Sequence, residues 1–217
     1  ILWATLPLFA LLACGENESA DQASTSTQTG PPTSQAPAPT GDDWHACDSL
    51  WRIAGGVNGK TVADLFVGDG YYTMKLLEAG ARVIAMDDDP RNVEALQKRK
   101  EEMKIGDDRL IIRSATPGLP ALSVGEVDLA LCTRPFISIP DRDGYFTKVK
   151  ASIKPPSMLL IVDFLPEQTP VGTPMDQRMN SEQVMDAMEV PGFTDIGAYT
   201  KLVPYRYVVQ AMDYVEG

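Results

Sequence analysis

The stretch from Val62 to Pro90 constrains this chain more than any other. Its first part, Val62-Ala63-Asp64-Leu65-Phe66-Val67, is a short apolar run that ends at Gly68-Asp69-Gly70. β-Branched and aromatic residues bounded by glycines predict a buried parallel strand running into a tight turn. Met74, Leu76, Leu77 and Ala79 follow at roughly helical spacing, and Gly80 supplies the stop. A second apolar run, Ala81 to Met86, ends in Asp87-Asp88-Asp89. Strand, glycine turn, helix, strand and acid make a unit suited to an adenosine. Glycines let the backbone approach the ligand, and a carboxylate after the second strand can accept both ribose hydroxyls.

Two ligand classes use such a unit. A dinucleotide fingerprint needs a third glycine where the helix packs on the strand, and Gly68-x-Gly70-x-x is followed here by Thr73. The stretch instead resembles motif I of the class I S-adenosylmethionine-dependent methyltransferases, an acid followed by alternating glycines and then Gly-Tyr-Phe-Thr or Gly-Tyr-Tyr-Thr. On that resemblance Asp64, Gly68 and Gly70 match the motif, and Asp87, with Asp88 beside it, matches the ribose-holding acid. Phe66 stands where the family pattern has its first glycine. Its side chain either crowds the methionine end of the ligand or turns into the core.

The remaining strands extend the resemblance. Arg91 to Lys104 reads as a charged helix led by Pro90, and Arg109 to Arg113 as a third strand, followed by Ser114 and Ala115 where the family contacts adenine. Glu126 to Cys132 reads as a fourth strand similar to motif IV, ending in Thr133-Arg134-Pro135-Phe136 in place of the Asn-Pro-Pro-Tyr-like catalytic end of many members. The cofactor-binding residues implied are thus Asp64, Phe66, Gly68, Gly70, Asp87, Asp88, Ser114, Ala115 and Thr133. A helix opens around Pro140 to Tyr145, and Lys154-Pro155-Pro156-Ser157 leads into a fifth strand, Met158 to Asp163, much as a Leu-Lys-Pro-Gly-Gly turn does in the family. Leu165 to Asn180 is expected to be a loop over the pocket mouth, Ser181 to cap a helix through Met188, and Ile196 to Val203 and Tyr205 to Tyr214 to form an antiparallel ending. The fold expected is therefore α/β, a Rossmann-like three-layer sandwich. Its seven-stranded sheet is mostly parallel, with an antiparallel C-terminal strand.

Upstream, Asp42 to Gly56 carries Trp44, Cys47, Leu50, Trp51 and Ala54 at helical intervals, with Asp42 or Asp43 placed to cap. His45, the lone histidine, reads as a surface residue more readily than as a catalytic base. Ile1 to Leu12 is almost wholly apolar, too short to span a bilayer and of signal-peptide length. Leu11-Leu12-Ala13-Cys14 resembles the lipobox of bacterial lipoproteins, which implies a diacylated Cys14 and an extracytoplasmic, envelope-anchored domain; Gly15 after it favours the outer membrane where the host has one. A chance apolar run ending in cysteine is the alternative, and with it a cytoplasmic location. Without Met or a basic segment before Ile1, the sequence is expected to lack its start. Gly15 to Gly41 has no aromatic, Val, Ile, Leu, Met, Lys or Arg residue and cannot bury enough apolar area to offset ordering. It reads as a disordered linker of roughly 30 Å root-mean-square reach. The domains expected are thus 1–14, 15–41 and 42–217.

Thirty acidic against nineteen basic residues, a net charge of −11, argue against a nucleic-acid partner and against electrostatic attachment to anionic lipid. Cys47 and Cys132 could pair in an oxidising compartment or remain buried free thiols, and two cysteines with one histidine give no metal-ligand spacing. The resemblance implies methyl transfer from S-adenosylmethionine to a small-molecule acceptor. In-line displacement at a sulfonium needs alignment more than a dedicated acid or base. No catalytic residue is assigned; Asp141, Asp163 and Tyr72 are candidates by position. Because that cofactor is not expected outside the cytoplasm, a methyltransferase fold retired to a binding module is the second reading. An NAD-dependent oxidoreductase, lacking the third glycine and a catalytic dyad, is the third.

Overall fold

The computed structural model describes residues 44–214; the apolar leader 1–14 with Cys14, the linker 15–41 and the caps expected at Asp42 or Asp43 lie outside the described residues. The chain runs α1 (Cys47–Ile53), β1 (Thr61–Asp64), α2 (Tyr71–Glu78), β2 (Arg82–Asp87), α3 (Pro90–Glu102), β3 (Leu110–Ser114), β4 (Leu129–Cys132), α4 (Arg142–Ser152), β5 (Ser157–Phe164), α5 (Ser181–Glu189), β6 (Asp195–Val203) and β7 (Arg206–Asp213). The seven strands form one sheet in the order β3-β2-β1-β4-β5-β7-β6. β1 to β5 pair in parallel, whereas β7 runs antiparallel to both β5 and β6.

Alternation along the strands builds the three layers. Val83 and Ala85 of β2, with Leu160 and Val162 of β5, face a core closed by Leu50 and Trp51 of α1, Leu76 of α2 and Leu96 of α3. Ile84, Met86, Leu159 and Ile161 face the opposite core, closed by Phe146 and Val149 of α4 and Val184 and Met188 of α5. A strand covered on both faces reads as a continuous apolar run, which is why these segments were legible as parallel strands.

Helix and strand ends differ from the sequence expectation where local geometry intervenes. α1 begins at Cys47, because Ala46 takes a left-handed conformation with φ 47°. β1 ends at Asp64, and the turn beyond it places Gly68 at φ 52° and Gly70 at φ 76°. α2 starts from Gly70 at Tyr71, three residues before the first periodic apolar position. Asn180, not Ser181, caps α5: its side chain accepts from Gln183 N while Gln183 bonds back to Asn180 N, a reciprocal capping box. Cys47 on α1 and Cys132 on the central strand β4 are both buried and are not joined to each other in a disulfide.

Candidate functional site

At the carboxyl ends of the strands the chain moves outward from β1 to β2 and β3, then crosses back to β4 on the other side of β1. This reversal opens a crevice above β1, the position where open α/β sheets take their ligands. A cavity of about 350 Å³ lies there, lined by His45, Phe66, Val67, Gly68, Asp69, Tyr72, Asp87, Asn92, Thr133, Arg134, Pro135 and Arg206. Its size is at the lower end for a small-molecule site.

Asp87 forms its floor on the β2 side. The carboxylate is buried, with Oδ2 accepting from Gly68 N (3.1 Å) and Asn92 Nδ2 (3.1 Å) and Oδ1 accepting from Asp89 N (2.8 Å). Asp89 caps α3 through Arg91 N, so the acidic run divides its labour: Asp87 faces the cavity and Asp89 starts the helix. Asp88 takes a third direction and pairs with both terminal nitrogens of Arg134, which holds its carboxyl below the usual range. The same guanidinium lies 3.5 Å from Asp87 and 4.1 Å above the centre of the Phe66 ring.

Phe66 therefore does both things weighed for it in part. Its ring turns into the core, 6% exposed and stacked on Tyr145 at 5.6 Å between centroids, and its outer face closes the cavity under Arg134. Gly68 and Thr133 also line the cavity, together with Asp87. Asp64, Gly70, Asp88, Ser114 and Ala115 do not. Asp64 lies behind the turn, where Thr73 Oγ1 donates to it at 2.6 Å; burial, with the charges of Asp87 and Asp69, pushes its carboxyl up to about 6 although the Thr73 bond opposes this. Gly70 is the residue before α2, and a Cβ there would meet Leu96 at 3.1 Å. Ser114 ends β3 opposite Asp87, and Ala115 N donates to Asp87 O at 2.9 Å.

Of the three positions considered for acid–base work, only Tyr72 reaches the cavity. Burial pushes its phenol well above the ordinary range, against the pull of Arg206, so it is a neutral hydroxyl at neutral pH. Asp141 caps α4 by accepting from Gly144 N, and buried Asp163 accepts from Phe136 N and Phe164 N at 2.8 and 2.7 Å. Both carboxylates serve the backbone.

His45, Asn92, Arg134 and Arg206 line the cavity without having been singled out for it. His45 is half-buried at the cavity's edge, where it stacks on Tyr71 at 3.8 Å and faces Tyr72 edge-on at 5.0 Å. The loop 165–180 contributes nothing to the lining; Arg178 folds it on itself by donating to Leu165 O, Glu167 O and Thr173 O. Arg134 follows Thr133 directly at the β4 tip, a signal available in the sequence. Arg206 and His45 arrive from remote segments and gave none.

Residues 63–161 match the family described as a methyltransferase domain. An uncharacterized methyltransferase of Mycobacteroides abscessus is 41% identical over 56 residues, 25% of this chain and 22% of that protein, so the match spans about a fifth of that relative's length. Among solved structures, a SAM-dependent methyltransferase from Aquifex aeolicus superposes with a TM-score of 0.71 at 20% identity, covering 79% of this chain and 90% of that one. Phosphoethanolamine N-methyltransferase 2 from Haemonchus contortus, in complex with S-adenosyl-L-methionine, gives 0.64 at 15% identity over 78% and 52% of the two chains. Magnesium protoporphyrin IX methyltransferase from Synechocystis, with bound SAH, gives 0.56 at 17% identity over 77% and 83%. The fold is the Rossmann-like fold of these methyltransferases.

Proposed function

We propose that this domain binds S-adenosylmethionine in the crevice above β1 and transfers its methyl group to a small-molecule acceptor. The observation that carries this reading is the meeting of Asp87 and Gly68 on one cavity at the sheet's reversal point, inside the segment that matches the methyltransferase family. The residues suit the cofactor: Asp87 offers a carboxylate to ribose hydroxyls, and a Cβ on Gly68 would meet nothing within 4 Å, so the backbone there is bare toward the ligand. When bound, S-adenosylmethionine supplies an electrophilic methyl on a sulfonium. The chain's part is to hold and align, with Asp87 and Asn92 at the nucleoside end and Thr133 at the β4 tip; the neutral Tyr72 hydroxyl can donate a hydrogen bond but is a poor base.

A specific observation favours a second reading, a methyltransferase fold kept as a binding module. Arg134 lies against Asp87 and Asp88 and over Phe66, on the ground a nucleoside would need. Calorimetry with S-adenosylmethionine and S-adenosylhomocysteine decides between them. Binding below millimolar supports the enzyme; no binding to either leaves the module.

The lipid anchor remains part of the proposal, resting on Leu11-Leu12-Ala13-Cys14 and the polar segment after it. Mass spectrometry of membrane-extracted protein should find diacylated Cys14, and an unmodified terminus upstream of it would remove the anchor and the extracytoplasmic placement.

A further inference from the structure

The cavity has a cationic end that the nucleoside reading leaves unused. Arg206 opens β7 and lines the cavity with His45 and Tyr72. Its Nη1 donates to the Tyr72 hydroxyl at 3.0 Å and lies 3.4 Å from His45 Nδ1. Neither Nε nor Nη2 has a hydrogen-bond acceptor among the described residues, and Nε is buried. No carboxylate comes within ion-pair distance of it there either; the rings of Phe164 and Trp44 flank the guanidinium at 4.7 and 5.5 Å instead. Asp163, a carboxylate that feels the charge of Arg206, is committed to the backbone amides of Phe136 and Phe164. In a chain of net charge −11, a half-buried guanidinium held by aromatic faces is short of an anion.

Position decides which ligand should bring it. Along the carboxyl edge, β2, β1, β4, β5 and β7 follow in order, so the Arg206 backbone starts four strand spacings, roughly 19 Å of sheet, from Asp87, and its side chain reaches back as far as the Tyr72 hydroxyl on α2. A nucleoside gripped at Asp87 leaves the Arg206 end for a second ligand. We propose that Arg206, with Tyr72 and His45, forms a carboxylate subsite for the methyl acceptor; this rests on the methyl-transfer reading above. The Tyr72 hydroxyl accepts from Arg206 and keeps its own proton to donate, and the open Nη2 edge supplies a second donor, a set that matches the planar, singly charged carboxylate. A dianionic phosphate would leave one charge uncompensated in a cavity that Asp87 and Asp69 also line.

The full chain is titrated with benzoate and with neutral benzamide, each with and without saturating S-adenosylhomocysteine. Wild-type protein should prefer benzoate, and Arg206→Gln should weaken benzoate by about tenfold or more while leaving benzamide unchanged. Tyr72→Phe, which keeps the ring, should weaken benzoate to a smaller degree and guards against misfolding of the arginine variant. Equal benzoate affinity in wild type and Arg206→Gln, or no benzoate preference in wild type, overturns the subsite. In a second arm, S-adenosylhomocysteine is compared with methylthioadenosine, which lacks the amino-acid carboxylate. Their affinity ratio should be the same in wild type and Arg206→Gln; collapse of the ratio in the variant would mean that the anion is the cofactor's own and overturn the acceptor assignment. Failure of both nucleosides to bind removes the methyl-transfer reading, while the benzoate arm still decides the subsite.

Discussion

The Gly68 backbone N–H donates to Asp87 Oδ2 at 3.1 Å and ties the turn after β1 to the tip of β2. One carboxylate thus holds the turn, the start of the β2–α3 connection through Asp89 N, and the side chain of Asn92. Asp87→Asn keeps the shape and one acceptor but removes the charge. It should weaken S-adenosylhomocysteine by about 10- to 100-fold, through loss of charge-assisted bonds to ribose. Calorimetry checks this, and wild-type affinity in the variant would take Asp87 out of the site.

Arg134 and Asp88 join the tips of β4 and β2 by a forked pair, with side chains 22% and 13% exposed. Truncation to Arg134→Ala leaves Asp87 and Asp88 adjacent and uncompensated, at a cost of about 1–2 kcal/mol after allowing for solvent screening. The pH dependence has a definite sign. Asp88 titrates below its ordinary 3.8 in the folded chain, so the pair stabilises above 3.8 and fades as pH falls through the lower folded value. Urea unfolding of wild type and variant should therefore differ at pH 7 and converge under strong acid. A difference that persists there would mean that the loss comes from packing over Phe66.

The two turn glycines should respond differently to Ala. Both have positive φ, so each substitution carries strain of about 1 kcal/mol. A methyl on Gly70 also presses on Leu96 at 3.1 Å and lies 3.5 Å from Arg99, whereas one on Gly68 meets open space. Gly70→Ala should lower the melting temperature more; Gly68→Ala should lower nucleoside affinity more. The reverse order would place the ligand on the other side of the turn.

That contrast also marks how far the sequence could be read. Gly68, Asp87 and Thr133 were visible because each sits at the end of an apolar run, and in a parallel sheet the ends of neighbouring runs share an edge. The parallel strands followed from the same runs, whereas the antiparallel ending followed from the resemblance to the methyltransferase sheet, since β6 is largely exposed and carries no apolar run. Arg206 and His45 were not visible, since their place in the cavity depends on β7 lying beside β5 and on the residues before α1 packing on the start of α2, relations that no local pattern encodes; Asn92, five residues beyond Asp87, was within local reach but carries no distinctive pattern. The loop 165–180 misled for the opposite reason: its length suggested a cover for the site, but Arg178 spends its donors tying the loop to itself.

Asp64 should give the chain a stability that falls toward neutral pH. Its carboxyl is raised from 3.8 to about 6 in the fold, chiefly by burial, so between those values the folded state holds a proton that the unfolded state has lost. Stability is then lost as pH rises through this window, by at most about 3 kcal/mol. In Asp64→Asn that contribution is absent. The stability difference between variant and wild type should shift in the variant's favour from pH 4 to pH 7, and a pH-independent difference in chemical unfolding would mean that Asp64 is charged throughout.

Phe66 occupies the place of a glycine in the motif the turn resembles, so restoring that glycine is the natural attempt to improve the site. The structure argues that it would fail as a stabilising change. Phe66 has no positive φ, so glycine relieves no backbone strain there and adds freedom to the unfolded chain. The ring is 6% exposed, stacks on Tyr145 and carries Arg134 on its outer face; its removal opens a void between β1 and α4 and strips the support from the Arg134–Asp88 pair. Large-to-small changes of this kind cost about 3–5 kcal/mol. Phe66→Gly should therefore unfold at clearly lower urea concentration, and Phe66→Leu, which keeps much of the volume, should recover most of the loss. If Phe66→Gly is as stable as wild type, the ring is not a packing element, and its role at the cavity must be sought in the ligand instead.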